Sequence, residues 1–239
     1  MIILKKYCGI FDINTNDDQL EKFKSYYEFM IDYNKTTNLT SITEKKEVCI
    51  KHFLDSLLVA KSVELKGKVI DIGTGAGFPG IPLKIINESI DLYLLDSSEK
   101  KINFLKRLSK ILNLKYECIN SRAEELSEEY REKFDLCVSR AVASLDILSE
   151  ICIPFVNVGG FFVSMKGPSF EEEIELSKRK IVELGAEIIK IDKFILPENY
   201  GTRYLICIKK IKDTPKKYPR QYSKIKKDSI SVRRHCKNG

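Results

Sequence analysis

Glycine recurs at alternate positions directly after a short apolar run, and few folds can use that pattern. Val69-Ile70-Asp71-Ile72 has the length and composition of a buried strand, and Gly73-Thr74-Gly75-Ala76-Gly77-Phe78-Pro79-Gly80 follows with no spacer. Alternate glycines accept positive φ and let the backbone approach a ligand closely, which serves neither a helix interior nor a strand. The segment therefore predicts a tight strand-to-helix turn. In doubly wound sheets that turn lies at the carboxyl end of the first strand, where ligands bind.

The rest of the chain fits that architecture. From Lys68 onward apolar strand patterns alternate with helical ones, which predicts βαβ units and a parallel sheet. Strands are expected over 69–72, 91–96, 116–119, 134–139, 161–165, 187–194 and 204–208, the last two paired as an antiparallel hairpin. Helices are expected over 81–87, from a Ser97 or Ser98 cap to Leu112, over 145–155 with a stop at Gly159-Gly160, and over 170–184. Ile102, Leu105, Leu108 and Leu112 fall on one helical face, opposite Lys100, Arg107 and Lys110. Ahead of the alternation, 17–34 and 44–63 read as two helices, the first with Leu20, Phe23, Tyr27, Met30 and Ile31 near one face. The fold class is α/β: a doubly wound, Rossmann-like, seven-stranded, mostly parallel sheet with three helices per side and an N-terminal helical extension. The expected division is 1–64 for the extension, 65–211 for the sheet and 212–239 for a basic tail.

Charge separates that tail from the rest. Between Lys209 and Gly239 twelve Lys or Arg face two acidic residues, whereas the remainder carries 29 basic residues against 32 acidic. Such a segment is suited to a polyanion, and it equally suits a solvated surface. No apolar run has the length of a membrane span, and the first thirteen residues have no signal-peptide pattern. Seven cysteines stand singly and only two histidines occur, so no zinc spacing is visible. Lone cysteines in apolar runs suit a reducing cytoplasm, and nothing in the sequence asks for an obligate dimer.

The candidate site residues follow from the turn. Asp96 ends the second strand, where a carboxylate can accept both hydroxyls of a ribose; NAD enzymes place one at a similar spacing, so Asp96 points to a nucleoside without naming it. Ala123 and Glu124 follow the third strand at the level of an adenine ring, and Arg140 follows the fourth beside the expected reaction centre. His52 and Asp55, three apart on a helix, either face the same pocket or pack. On residues alone an oxidoreductase, a methyltransferase for a small molecule and a non-catalytic RNA-binding assembly factor remain rivals.

The run Gly73 to Ile85 (GTGAGFPGIPLKI) resembles the glucose-inhibited-division-B family, bacterial small-subunit rRNA guanine-N7 methyltransferases. The resemblance extends through 34–43 (NKTTNLTSIT), 52–57 (HFLDSL), Leu95-Asp96-Ser97 with Lys100-Lys101 and Phe104-Leu105, Ser121-Arg122-Ala123-Glu124, Ser139-Arg140-Ala141, Lys166-Gly167, and Tyr218-Pro219-Arg220 with Ile225-Lys226-Lys227. Two departures stand out: Tyr33 replaces a frequent tryptophan and Ser223 a usual glycine. The resemblance implies a class I methyltransferase that uses S-adenosyl-L-methionine and acts in the cytoplasm on 16S rRNA or the small ribosomal subunit. Its cofactor contacts would be Gly73, Phe78, Ala123, Glu124 and Arg140, to which the residues themselves add Asp71, Gly75 and Asp96.

No general base is evident, and guanine N7 needs none, because its lone pair lies free in the ring plane. Positioning and electrostatics then carry the reaction, with Arg140 a candidate for positioning. The absence of an Asn/Asp-Pro-Pro-Tyr run after the fourth strand argues against exocyclic adenine chemistry. Candidates for RNA contact are Lys166, Arg203, Lys216, Lys217, Arg220, Lys226 and Lys227, interleaved in the tail with Tyr218 and Tyr222 that could stack on bases. Removing Lys212 to Gly239 is expected to weaken RNA binding and its salt dependence while sparing cofactor affinity.

Overall fold

A computed structural model of the chain describes residues 1–126, 128–140, 143–168 and 170–237, with side chains described up to residue 230. Among the described residues seven strands form one sheet in the order β3-β2-β1-β4-β5-β7-β6. They are β1 (Lys68–Ile72), β2 (Asp91–Asp96), β3 (Glu117–Asn120), β4 (Phe134–Arg140), β5 (Val156–Lys166), β6 (Ala186–Ile195) and β7 (Thr202–Lys210). Strands β1 to β5 pair in parallel, while β7 runs antiparallel to both β5 and β6. The chain reverses its direction of travel across the sheet between β1 and β4, so the carboxyl ends of those strands face the crevice where this class of sheet binds ligands.

Period-two alternation places the strand residues in two cores. Val69, Leu94, Val138 and Val163 join one, and Ile70, Leu95, Cys137 and Phe162 the other. Helices α2 (Asp17–Thr37), α6 (Gly80–Ile86) and α7 (Glu99–Leu112) cover the first face; α8 (Leu145–Cys152), α9 (Glu171–Glu183) and α10 (Tyr222–Lys237) cover the second. Three helices per side is thus reached only by recruiting one helix from each terminal segment. Leu4, Tyr7 and Cys8 of α1 (Ile2–Ile10) join the first core as well. That helix is not among the expected elements.

Several expected details differ. On α2 the fully buried residues are Phe23, Tyr26 and Met30, with Tyr27 and Ile31 packed only partly buried against the same core. Adjacent residues lie about 100° apart around a helix, and Tyr26 is the one whose hydroxyl donates to the carbonyl of Ala76. The expected helix over 44–63 is a broken run: α3 (Lys45–Glu47), a π-helical stretch over Val48–Leu54, α4 (Asp55–Leu57) and α5 (Val59–Ser62). Gly159 and Gly160 do not stop a helix. The helix ends at Cys152, a 3-10 turn spans Ile153–Phe155 around Pro154, and β5 has already begun at Val156. Register jumps from Phe134↔Val156 to Leu136↔Phe161, so the two glycines lie in a bulge within the strand. Ser98 occupies the start of α7, yet its side chain makes no capping bond; the Asp96 carboxylate takes that place by accepting from the Ser98 N–H at 2.9 Å.

Candidate active site

The glycine turn is pinned from beneath. Asp71 is fully buried at the end of β1, and its Oδ2 accepts from the Thr74 hydroxyl at 2.7 Å and the Gly80 N–H at 2.8 Å. Oδ1 has no hydrogen-bond partner among the described residues. Burial pushes this carboxyl up to about 7, against the two donated bonds. Across the turn, the N–H groups of Gly73 and Thr74 both donate to the Leu95 carbonyl, at 2.9 and 3.0 Å. Gly73, Gly75 and Gly77 take φ of +73°, +62° and +100°, as the alternation requires. At Gly77 a Cβ would lie 2.7 Å from the Tyr26 hydroxyl and 2.8 Å from Ile81 Cδ1. The Tyr26 ring stacks on Phe78 with centroids 5.3 Å apart.

Above the turn lies a cleft of about 370 Å³, formed where β1, β2 and β4 end. Gly73, Asp96, Ala123, Glu124 and Arg140 line it together, as the sequence reading groups them. Asp71 and Phe78 do not: both are buried behind the wall. Gly75 borders open space, for a Cβ built on it would meet only the Gly73 carbonyl, at 4.0 Å. Its N–H donates to Asp96 Oδ2 at 2.9 Å, and Lys101 Nζ lies 3.4 Å from the same oxygen. A carboxylate offers about four lone-pair sites, so Asp96 retains accepting capacity toward the cleft. The lining also contains residues not expected at the cofactor site: Ile151, Lys101, and Tyr222, expected to stack on RNA bases instead.

Arg140 is held rather than free. Its Nη1 donates to the Lys51 carbonyl at 3.0 Å and to Asp55 Oδ2 at 3.1 Å, and Nη2 lies 3.2 Å from His52 Nδ1. Its guanidinium carbon sits 5.0 Å from the Phe78 ring centroid, which His52 stacks on at 4.6 Å. Arg203 Nε is 3.0 Å from Asp55 Oδ1, an ion pair without an aligned hydrogen bond. Burial pushes the Asp55 carboxyl up against the pull of both arginines. For His52, burial first and Arg140 second bring the imidazole down to about 3, so the ring is neutral. His52 and Asp55 therefore pack and also position Arg140. Ala141 and Val142 lie outside the described residues, so the end of the Ser139-Arg140-Ala141 motif does too.

The candidate RNA contacts divide. Lys166 is buried, with Nζ donating to the Ala143 carbonyl at 2.6 Å and paired with Glu173 at 2.8 Å. Arg203 is taken by Asp55. Arg220 forks onto the buried Glu150, Nε to Oε1 at 2.7 Å and Nη2 to Oε2 at 2.8 Å, and reaches Asp228 with Nη1. Lys216, Lys217, Lys226 and Lys227 are exposed, with Lys217 paired to Glu183 at 2.9 Å. The tail is thus docked through Arg131 and Glu150, and its Tyr222 is among the residues lining the cleft. Among the described residues no cluster of three or more His, Cys, Asp or Glu could hold a metal ion, and no helix is long and apolar enough to cross a membrane.

A family model described as rRNA small subunit methyltransferase G matches residues 19–199. The Ribosomal RNA small subunit methyltransferase G of Clostridium botulinum (strain Loch Maree / Type A3) is 46% identical over 233 residues, covering 95% of this chain and 98% of its own. Among solved structures, M. jannaschii TYW2 in complex with AdoMet superposes with a TM-score of 0.56 at 15% identity, covering 72% of this chain and 80% of that one. A branched-chain polyamine synthase mutein from Thermus thermophilus gives 0.59 at 15% identity, covering 79% and 64%. The structural likeness is one of fold. Two differently named proteins share it, so the fold by itself does not choose the reaction.

Proposed function

The chain belongs to the ribosomal RNA small subunit methyltransferase G family, and on that premise we propose that it transfers the methyl group of S-adenosylmethionine to N7 of a guanine in 16S rRNA. The observation that carries the reading is one cleft bringing together Gly73, Asp96, Ala123, Glu124 and Arg140 at the point where the strand order reverses.

The residues present fit such a cofactor. Open backbone at Gly75 leaves the space a methionine moiety needs. Asp96 offers unused lone pairs to ribose hydroxyls, and Ala123 presents little bulk beside Glu124 where an adenine would lie. Beyond its Nη2 contact with His52, Arg140 keeps a second Nη2 N–H and its Nε N–H for a ligand, on a guanidinium that Asp55, His52 and Lys51 hold still. S-adenosylmethionine supplies an electrophilic sulfonium methyl. The in-plane lone pair of guanine N7 forms the new N–C bond as the S–C bond breaks, its electron pair staying on sulfur. No proton leaves N7, so the chain needs no base, and its own task is to orient two reactants and exclude water. Neutral His52 suits that task, since it adds no second cation beside Arg140.

The proposed setting is the cytoplasm, with the chain acting as a monomer on naked rRNA or the small subunit. Outward-facing Lys216, Lys217, Lys226 and Lys227 are the proposed phosphate contacts. The experiment is transfer of tritiated methyl from S-adenosylmethionine to 30S subunits and to naked 16S rRNA from cells lacking the enzyme, followed by mapping of the labelled base. Label in a single N7-methylguanine is the expected result. No label in either substrate, despite measurable cofactor binding, would overturn the assignment and direct attention to small-molecule acceptors.

A further inference from the structure

We infer that the C-terminal segment is a built part of the cofactor cleft, strapped across the second face of the sheet so that Tyr222 forms an aromatic wall for the cofactor's purine; this rests on the reading of the cleft as the S-adenosylmethionine site.

The strap is fastened at several independent points. Thr214, Tyr218, Ile225 and Ser229 are buried, at intervals along the segment. Arg131 donates from Nη1 to the Tyr218 carbonyl at 2.5 Å and from Nη2 to the Thr214 carbonyl at 2.6 Å. The Tyr218 hydroxyl donates to Glu183 Oε1 at 2.5 Å, and its ring lies beneath Lys180 and Lys217 at 4.8 and 4.9 Å. Closest to the cleft, Arg220 forms its fork with Glu150, whose side chain is 1% exposed. A bidentate arginine on a buried carboxylate fixes direction as well as distance. Glu150 belongs to α8, and the next residue, Ile151, lines the cleft. The fork therefore ties Tyr222, two residues beyond Arg220, to the helix that supplies the neighbouring wall.

Composition then says what the wall is for. The other apolar residues lining the cleft, Ile72, Leu95, Ala123 and Ile151, are aliphatic; Tyr222 is the one aromatic among the described lining residues. Its ring is half-buried and packs on the same core as those four. A fixed ring beside an open, partly apolar cleft takes a purine by stacking, an interaction that does not require base-specific hydrogen bonds. Tyr222 is also the first residue of α10, on which Lys224 and Lys226 are exposed. One element thus carries both the cleft wall and cations suited to phosphates. Any ligand that steadies α10 favours the other, and the linkage is reciprocal.

Calorimetric titration of the full chain with S-adenosylhomocysteine, without RNA, tests this. Wild type should bind, Tyr222→Phe should bind within twofold of it, and Tyr222→Ala should bind about tenfold more weakly. Tyr222→Leu fills the apolar volume without a π face, so it too should bind several-fold more weakly while keeping the wild-type melting midpoint, which separates stacking from folding. Unchanged affinity in both Tyr222→Ala and Tyr222→Leu, with wild type binding normally, overturns the inference and would leave Tyr222 to the target base. Failure of wild type itself to bind overturns the reading of the cleft instead.

Discussion

Replacing His52 with glutamine should tilt the pH dependence of stability by about 2 kcal/mol between pH 7.5 and 5.0. His52 is sandwiched between Thr40, Arg140 and the Phe78 ring. Its Nδ1 lies 3.2 Å from Arg140 Nη2 and 3.1 Å from the Lys51 carbonyl, and its Nε2 lies 2.9 Å from Thr40 Oγ1, so both ring nitrogens are enclosed by protein groups. Burial first, and the Arg140 charge second, disfavour a cationic ring in this site, which is why the imidazole lies at about 3. An unfolded chain takes that proton near the ordinary 6.5. Below 6.5 the unfolded state therefore binds more protons than the native one. Stability from this residue is complete above pH 6.5 and falls at about 1.4 kcal/mol per unit as the pH drops toward 3. Asp71 acts in the opposite sense: at about 7 in the fold, it holds a proton that the unfolded chain releases until pH 3.8. Its contribution rises as the pH falls through that window, so the wild-type profile is nearly flat from these two groups together. The observable is the difference between variants. Urea unfolding at pH 7.5, 6.5, 5.5 and 5.0 should show His52→Gln gaining on wild type by about 2 kcal/mol toward acid, beyond any constant offset from lost packing. A difference constant across the four pH values to within about 0.5 kcal/mol would mean that His52 titrates normally in the fold, and would refute the desolvated network.

Three further outcomes follow from the same geometry. Gly73→Asp should abolish S-adenosylhomocysteine binding by calorimetry, because φ of +73° strains any side chain and a carboxylate would occupy the cleft; tight binding would refute the assignment of the turn. Asp55→Ala leaves Arg140 and Arg203 without their buried counter-ion and should cost about 3–5 kcal/mol in urea unfolding, a loss under about 1 kcal/mol contradicting the ion-pair account. Lys216→Glu with Lys226→Glu should lower affinity for a 16S rRNA fragment and reduce the slope of log affinity against log salt by about two, with the melting midpoint unchanged. An unchanged slope would place the phosphate contacts elsewhere.

What the sequence makes legible here is whatever is local. The glycine turn is readable because positive φ at 73, 75 and 77 is a demand each residue makes alone. The sheet is readable because alternation sends Val69 to one core and Ile70 to the other. What it hides are pairings between distant residues. The Arg220–Glu150 fork joins positions 70 apart, and a cation in a basic run looks solvated until its carboxylate is found. Lys166 and Arg203 mislead in the same way, since their partners Glu173 and Asp55 leave no mark on the sequence around them. Gly159 and Gly160 mislead for the converse reason: a glycine pair after a helix is a common stop, and only strand register shows that it is a bulge.

Those hidden pairings alter what the basic tail can be. Of seven cations nominated for RNA, Lys166, Arg203 and Arg220 are drawn into pairs with buried or half-buried carboxylates and Lys217 into a surface pair with Glu183; the exposed ones, Lys216, Lys217, Lys226 and Lys227, all lie on the docked strap. A disordered tail would lose conformational entropy on meeting rRNA; a strap pinned by Arg131, Glu150 and Glu183 has already lost most of it in folding. Its cations are presented at fixed distances from the cleft, and phosphate binding can then set the orientation of a guanine relative to Arg140 and the glycine turn. That orientation is what a reaction without a general base most needs. Substitutions that loosen the strap should accordingly lower turnover at saturating RNA as well as RNA affinity, whereas substitutions confined to its exposed lysines should lower affinity alone.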